Sequence, residues 1–133
     1  MEFNCLPTVI GSMPHTDPAK ACAVVSHYLK DIPAWPQLPK RAYRENMYVQ
    51  YSPGFPGVVV TEDSIYIDRA QNLDRPLEAL YAAYLANDID KYPISPDYAA
   101  GLHQFLSLTD MTPVAVKGQI TGPISWGLTV TDD

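Results

Sequence analysis

Two short runs in this 133-residue chain carry side chains able to do chemistry. The first is Gly11-Ser12, with His15 close behind. Glycine lets the backbone approach a ligand closely. Serine adds a hydroxyl, and an imidazole titrating near neutrality can move a proton or contact a substrate. The plain reading of the same residues is a strand-to-helix turn followed by a loop histidine. The second run is Gln119 and Thr121, an amide and a hydroxyl just past an apolar stretch. Thr121-Gly122-Pro123 reads equally well as a turn. Trp35 and Trp126 offer ring faces for stacking, and Trp35 fits a core position as readily. His27 and His103 fall inside predicted helices, with no Cys, Asp or Glu at ligand spacing. Cys5 and Cys22 match neither a metal-ligand spacing nor a disulfide framework.

Composition narrows the partners. Leu, Ile, Val and Phe make up about a quarter of the chain, enough to build a core. A net charge of −6 repels phosphate backbones, which argues against nucleic acid. No apolar run approaches the ~18 residues of a membrane span. The first residues lack a basic segment followed by an apolar stretch, and only two cysteines are present, which together favour the cytoplasm. Thirteen prolines sit at the ends of apolar runs and punctuate many short elements.

The elements that must position these groups follow in order. Residues 8–12 read as a short buried strand. Asp17-Pro18 opens a helix over about 18–30, the carboxylate capping and the proline at the first position. Residues 34–38 read as a second strand, and 41–51 as a helix. Val58–Thr61 and Ile65–Asp68 flank a turn and predict a β-hairpin. Asp74 opens a helix with Leu77, Leu80, Tyr81, Tyr84 and Leu85 on one face. Ser95-Pro96-Asp97 opens another, with Tyr98, Leu102, Phe105 and Leu106 on one face. Residues 113–118 predict a third strand, and Pro123 opens a last helix. Strands alternating with helices predict one α/β domain over 1–133, with a parallel sheet covered by helices and a hairpin inserted.

Two segments resemble one superfamily. Ile10-Gly-Ser-Met-Pro-His-Thr16 resembles the Ile-Gly-Ser-Phe-Pro-x-Thr segment that opens the catalytic barrel of cobalamin-independent methionine synthase. Val116-Lys-Gly-Gln-Ile-Thr-Gly-Pro-Ile-Ser125 resembles that family's Lys-Gly-x-Leu-Thr-Gly-Pro-Val-Thr segment, in the same order and at a similar separation. The resemblance implies the N-terminal portion of a (β/α)8 TIM barrel, with parallel strands and outer helices. It implies a methyltransferase acting on a thiol in methionine biosynthesis, with an amino-acid thiol and a folate-type methyl donor as the parent's small-molecule partners.

By the same resemblance Ser12, beside Gly11, holds the substrate carboxylate, and Gln119 and Thr121 line the donor side; His15 joins the substrate-binding set on its imidazole chemistry, as an acid/base or a substrate contact. Tyr43-Arg-Glu-Asn-Met-Tyr-Val-Gln-Tyr51 is loosely similar to the segment contacting the substrate's amino group. That carries Glu45 to the substrate-binding set and leaves Gln50 out; the plain reading of Glu45 is a solvated helix face. Trp126 stands a few positions before the family's tryptophan. The family's zinc ligands have no counterpart here, so zinc is expected only in a full-length parent, and no catalytic residue is assigned. The expectation is a fragment inactive alone that self-associates through uncovered apolar surface. Two alternatives stay open. One is a uroporphyrinogen-decarboxylase-like or corrinoid-linked barrel, although Pro36-Gln-Leu-Pro-Lys-Arg41 lacks the decarboxylase's arginine-rich signature. The other is a non-catalytic small-molecule-binding or assembly domain.

Overall fold

Asp17 and Pro18 start the first helix, α1 (Pro18–Tyr28), in the computed structural model, which describes residues 3–132. The Asp17 carboxylate accepts from the Ala19 and Lys20 amides at 2.9 and 3.2 Å, satisfying N–H groups that a helix start leaves unpaired. Helix α1 turns Ala21, Cys22 and Val25 inward. Cys22 and Val25 pack with Trp35 and Phe105, and Met13, Leu29, Tyr51, Leu102, Leu108 and Met111 close around them. Phe105 comes from a short helix that packs on α1.

The hairpin forms where the two β-prone runs around Glu62-Asp-Ser64 predict it. Strand β1 (Val58–Val60) pairs antiparallel with β2 (Ile65–Ile67), Val59 facing Tyr66. The sequence then enters α2 (Asp74–Leu85), which buries only Ala83 and touches a 3-10 turn at Ile89–Lys91. Helix α3 (Ala100–Leu106) is the one that supplies Phe105. Helix α4 (Pro123–Thr129) opens on its proline, and β3 (Thr131–Asp132) adds to β2 in parallel. No helix among the described residues is long and apolar enough to cross a membrane.

The expected partial (β/α)8 TIM barrel is not what forms. The chain folds as a small α+β unit with four α-helices, and its regular sheet is built on the antiparallel β1–β2 hairpin. Segments 8–12, 34–38 and 113–118 are extended but are not strands. They touch through isolated parallel bridges, Ser12 to Gln37 and Ala34 to Lys117. Proline supplies the reason. Pro33 and Pro36 have no N–H to give, so a ladder along 33–38 is interrupted at both. Single bonds remain: Gln37 N–H to Gly11 O at 2.8 Å, Met13 N–H to Gln37 O at 2.9 Å, and Lys117 N–H to Pro33 O at 2.9 Å. All six residues from Pro33 to Leu38 are nonetheless buried.

Two helices also differ from expectation. Residues 41–51 hold one 3-10 turn, Tyr43–Glu45, followed by turns rather than a helix. Helix α3 starts at Ala100, because Ser95 O accepts from the Tyr98 and Ala99 amides and closes a turn first.

Candidate functional site

Gly11 has φ +118°, a backbone conformation open to glycine and strained for other residues. Its missing side chain is also required by a neighbour. A β-carbon there would lie 2.0 Å from Gln119 Nε2 and 3.1 Å from Trp35 O. Gln119 uses that space to donate from Nε2 to Trp35 O at 2.9 Å. Two residues earlier, Lys117 Nζ donates to Val9 O at 2.7 Å. The segments around residues 9–12 and 117–119 therefore meet over the backbone of Trp35.

Ser12 is exposed beside this contact, paired through its backbone with Gln37. Gln37 and Gln50 are fully buried and linked, Gln37 Nε2 donating to Gln50 Oε1 at 2.8 Å. Gln50 Nε2 then donates to Tyr98 O at 2.7 Å. The chain of amides ends unfinished. Gln37 Oε1, Gln119 Oε1, His15 Nδ1 and Glu45 Oε2 are buried without a hydrogen-bond partner among the described residues. Buried acceptors are normally satisfied, and leaving one bare costs about 1–3 kcal/mol. Gln119 fills the space beside Gly11, and Gln37 pairs with Gly11 and Ser12 through its backbone.

Residues 119–126 are stitched to 47–55. The Tyr51 hydroxyl donates to Gln119 O, and burial pushes its pKa up to about 12. Thr121 Oγ1 donates to Met47 O at 2.6 Å. Trp126 Nε1 donates to Ser52 Oγ at 2.8 Å, and its ring lies 4.9 Å from that of Phe55. Thr121 and Trp126 thus hold the seam, and Trp35 is core. A hollow of about 230 Å³ beside the seam is walled in part by Gln50, Tyr51, Tyr92 and Ile120.

Glu45 is not on a solvated helix face. Its residue is fully buried and its carboxylate pairs with Arg41. Burial raises its pKa above the ordinary range, opposed by the Arg41 guanidinium and by the Leu38 and Ala100 amides. Those neighbours lie toward the start of α3, and no hydrogen bond ties Glu45 to Gly11 or Gln119. Gly11, Ser12 and Gln119 are brought together, and Thr121 follows on the seam. His15 contributes a buried nitrogen close by in sequence. Gln37 and Gln50 were missed because amides in apolar stretches carry no signal of their own; the position of Gln50 in the Tyr43–Tyr51 segment was the one available hint.

A larger hollow of about 690 Å³ opens between α1 and residues 104–112, lined in part by Cys22 and Met111. Burial pushes the Cys22 thiol up to about 11, away from the thiolate that metals and electrophiles need. Among the described residues no group of three or more His, Cys, Asp or Glu is placed to hold a metal ion. Comparison with protein-family models, curated proteins and solved structures finds no match to the chain.

Proposed function

We propose that this chain carries the amino-acid-binding segment of a methyl transfer to a thiol, of the kind the methionine synthases perform, and that it is inactive alone. The reading rests on the resemblance of two segments and is supported by one observation: those segments touch. Gln119 fills the space beside Gly11, although the two residues are far apart in sequence. In this reading the Ser12 hydroxyl and nearby backbone hold the substrate carboxylate. The bare oxygens of Gln37 and Gln119 accept from the substrate ammonium. The donor side is the seam at 119–126, where Thr121 and Tyr51 fix the backbone. Methyl transfer breaks the donor's bond to its methyl group, forms an S–CH3 bond and releases the thiol proton. None of Gly11, Ser12, Gln37 or Gln119 is a base able to take that proton near neutrality, so in this reading these four bind and orient the substrate.

The test is a titration of L-homocysteine and L-methionine into isotopically labelled protein, followed by amide NMR. The expected result is saturable shifts at Gly11, Ser12 and Gln119. Ser12→Ala weakens binding about tenfold or more, the value for one lost hydrogen bond to a charged group. Unmoved amides at millimolar ligand overturn the reading. Saturable shifts that respond equally to amino acids without sulfur favour a general amino-acid-binding domain instead.

A further inference from the structure

Two apolar faces of this chain are uncovered, and their shapes differ. The first is a stripe on α2. Leu77, Tyr81, Tyr84 and Leu85 follow helical spacing on its outer side, with Tyr84 76% and Leu85 68% exposed. A shallow hollow of about 590 Å³ lies over Leu77, Leu80, Tyr81 and Tyr84. The second runs along residues 114–128. Residues 111–120 alternate strictly between half-buried and exposed, the period of an extended chain. Its outward positions nevertheless include Val114, Val116 and Ile120. Ile124 and Leu128, one turn apart on α4, follow in the chain at 79% and 83% exposed.

Area decides what these faces fit. Taking an aromatic side chain as ~200 Å², the α2 stripe presents on the order of 500 Å², and the 114–128 face about as much. Either face pressed against its own counterpart removes on the order of 1,000 Å² from water, below the roughly 1,200–2,000 Å² of stable interfaces. Exchanging both faces reciprocally between two copies removes on the order of 2,000 Å², at the top of that range.

We propose that two copies of this chain associate by reciprocal exchange, the α2 stripe of each lying on the 114–128 face of the other. The net charge of −6 on each copy opposes the approach. Salt screens that repulsion and leaves the apolar contact, so association tightens as salt rises.

Sedimentation of the full chain tests this, with Tyr84→Glu on one face and Val116→Glu on the other. At about 100 μM, saturating for a micromolar Kd, the unaltered chain sediments as a dimer, and each variant alone is a monomer with an unchanged far-UV spectrum. Mixing the two variants brings back pairing only at higher protein concentration than the unaltered chain needs, because one of the two reciprocal contacts is then free of both charges and the other carries both. If Val116→Glu loses its fold, Leu128→Glu at the most exposed position of the same face takes its place. A monomeric unaltered chain, a dimer that survives either substitution, a mixture that pairs as tightly as the unaltered chain, or an open-ended series of larger species each overturns the proposal.

Discussion

The side-chain amide of Gln119 occupies the space that a β-carbon on Gly11 would need, 2.0 Å away. Two costs are therefore combined at Gly11→Ala. One is backbone strain at φ +118°, of order 1–3 kcal/mol. The other is eviction of Gln119 from its bond to Trp35 O, about 1 kcal/mol more. Denaturant unfolding of Gly11→Ala, Gln119→Ala and the double variant separates them. The double variant is expected to be more stable than the sum of the single losses implies, because the clash is removed only once while the strain persists. Strict additivity would mean that the two residues do not meet.

Glu45 makes stability depend on pH in an unusual direction for a carboxylate. Its folded pKa is raised, chiefly by burial. The folded protein therefore holds its proton to higher pH than the unfolded chain, and stability falls as pH rises from about 4 through the folded pKa. Glu45→Gln should flatten that stretch of the stability profile and cost little at neutral pH. Arg41→Ala should destabilise at neutral pH by leaving a buried carboxylate without its partner, and the loss should shrink at acid pH, where the group is protonated. Urea midpoints across the acid range check both signs. An Arg41→Ala loss that is constant with pH would show that the pair contributes nothing electrostatic.

Local signals explain what was legible in the sequence. Asp17-Pro18 carries its own cap and first-turn proline, and α1 begins there. The β-prone Val58–Thr61 and Ile65–Asp68 runs flank a short turn, and the hairpin closes between them. The α2 stripe is visible for the same reason, although its apolar side faces outward rather than into the core. Apolar content and spacing along 33–38 point to a strand, whereas the missing N–H groups of Pro33 and Pro36 break any ladder along this central segment. The polar cluster was legible at Gly11, Ser12 and Gln119, where a resemblance pointed. Gln37 and Gln50 were not, since their burial depends on which chain segments cover them. Glu45 looked solvated because residues 41–51 were read as a surface helix, whereas the short 3-10 turn aims its carboxyl inward.

Gly101 sets how closely α3 lies on the central segment. A β-carbon there would sit 2.0 Å from Pro36 O, a backbone atom that cannot swing aside. Gly→Ala within a helix ordinarily gains about 1 kcal/mol. Here the overpacking, of order 1–3 kcal/mol, outweighs that gain. Gly101→Ala should therefore lower the unfolding midpoint and loosen Phe105 against Cys22 and Val25. Thermal unfolding and the near-ultraviolet aromatic signal report these two effects, and an unchanged or raised midpoint would place α3 further from Pro36 than the geometry requires.

Trp126 and Ser52 provide a last test, because their bond ties the start of α4 to the loop before the hairpin. Trp126 Nε1 donates to Ser52 Oγ at 2.8 Å, and Ser52 is fully buried and donates in turn to Tyr48 O at 3.2 Å. Trp126→Phe removes the indole donor while keeping a ring beside Phe55, and should cost about 0.5–1.5 kcal/mol for the lost bond. Ser52→Ala removes the acceptor and the bond to Tyr48 O, leaving the indole N–H and that carbonyl each short of a partner, so it should cost more, about 1–3 kcal/mol. Once Ser52 is alanine, the further change Trp126→Phe should cost almost nothing, since the bond it removes is already gone. The tryptophan fluorescence of Ser52→Ala should move to longer wavelength as the indole takes up water in place of the hydroxyl. A double variant that loses the full sum of the single effects, with fluorescence unmoved, would separate α4 from Ser52.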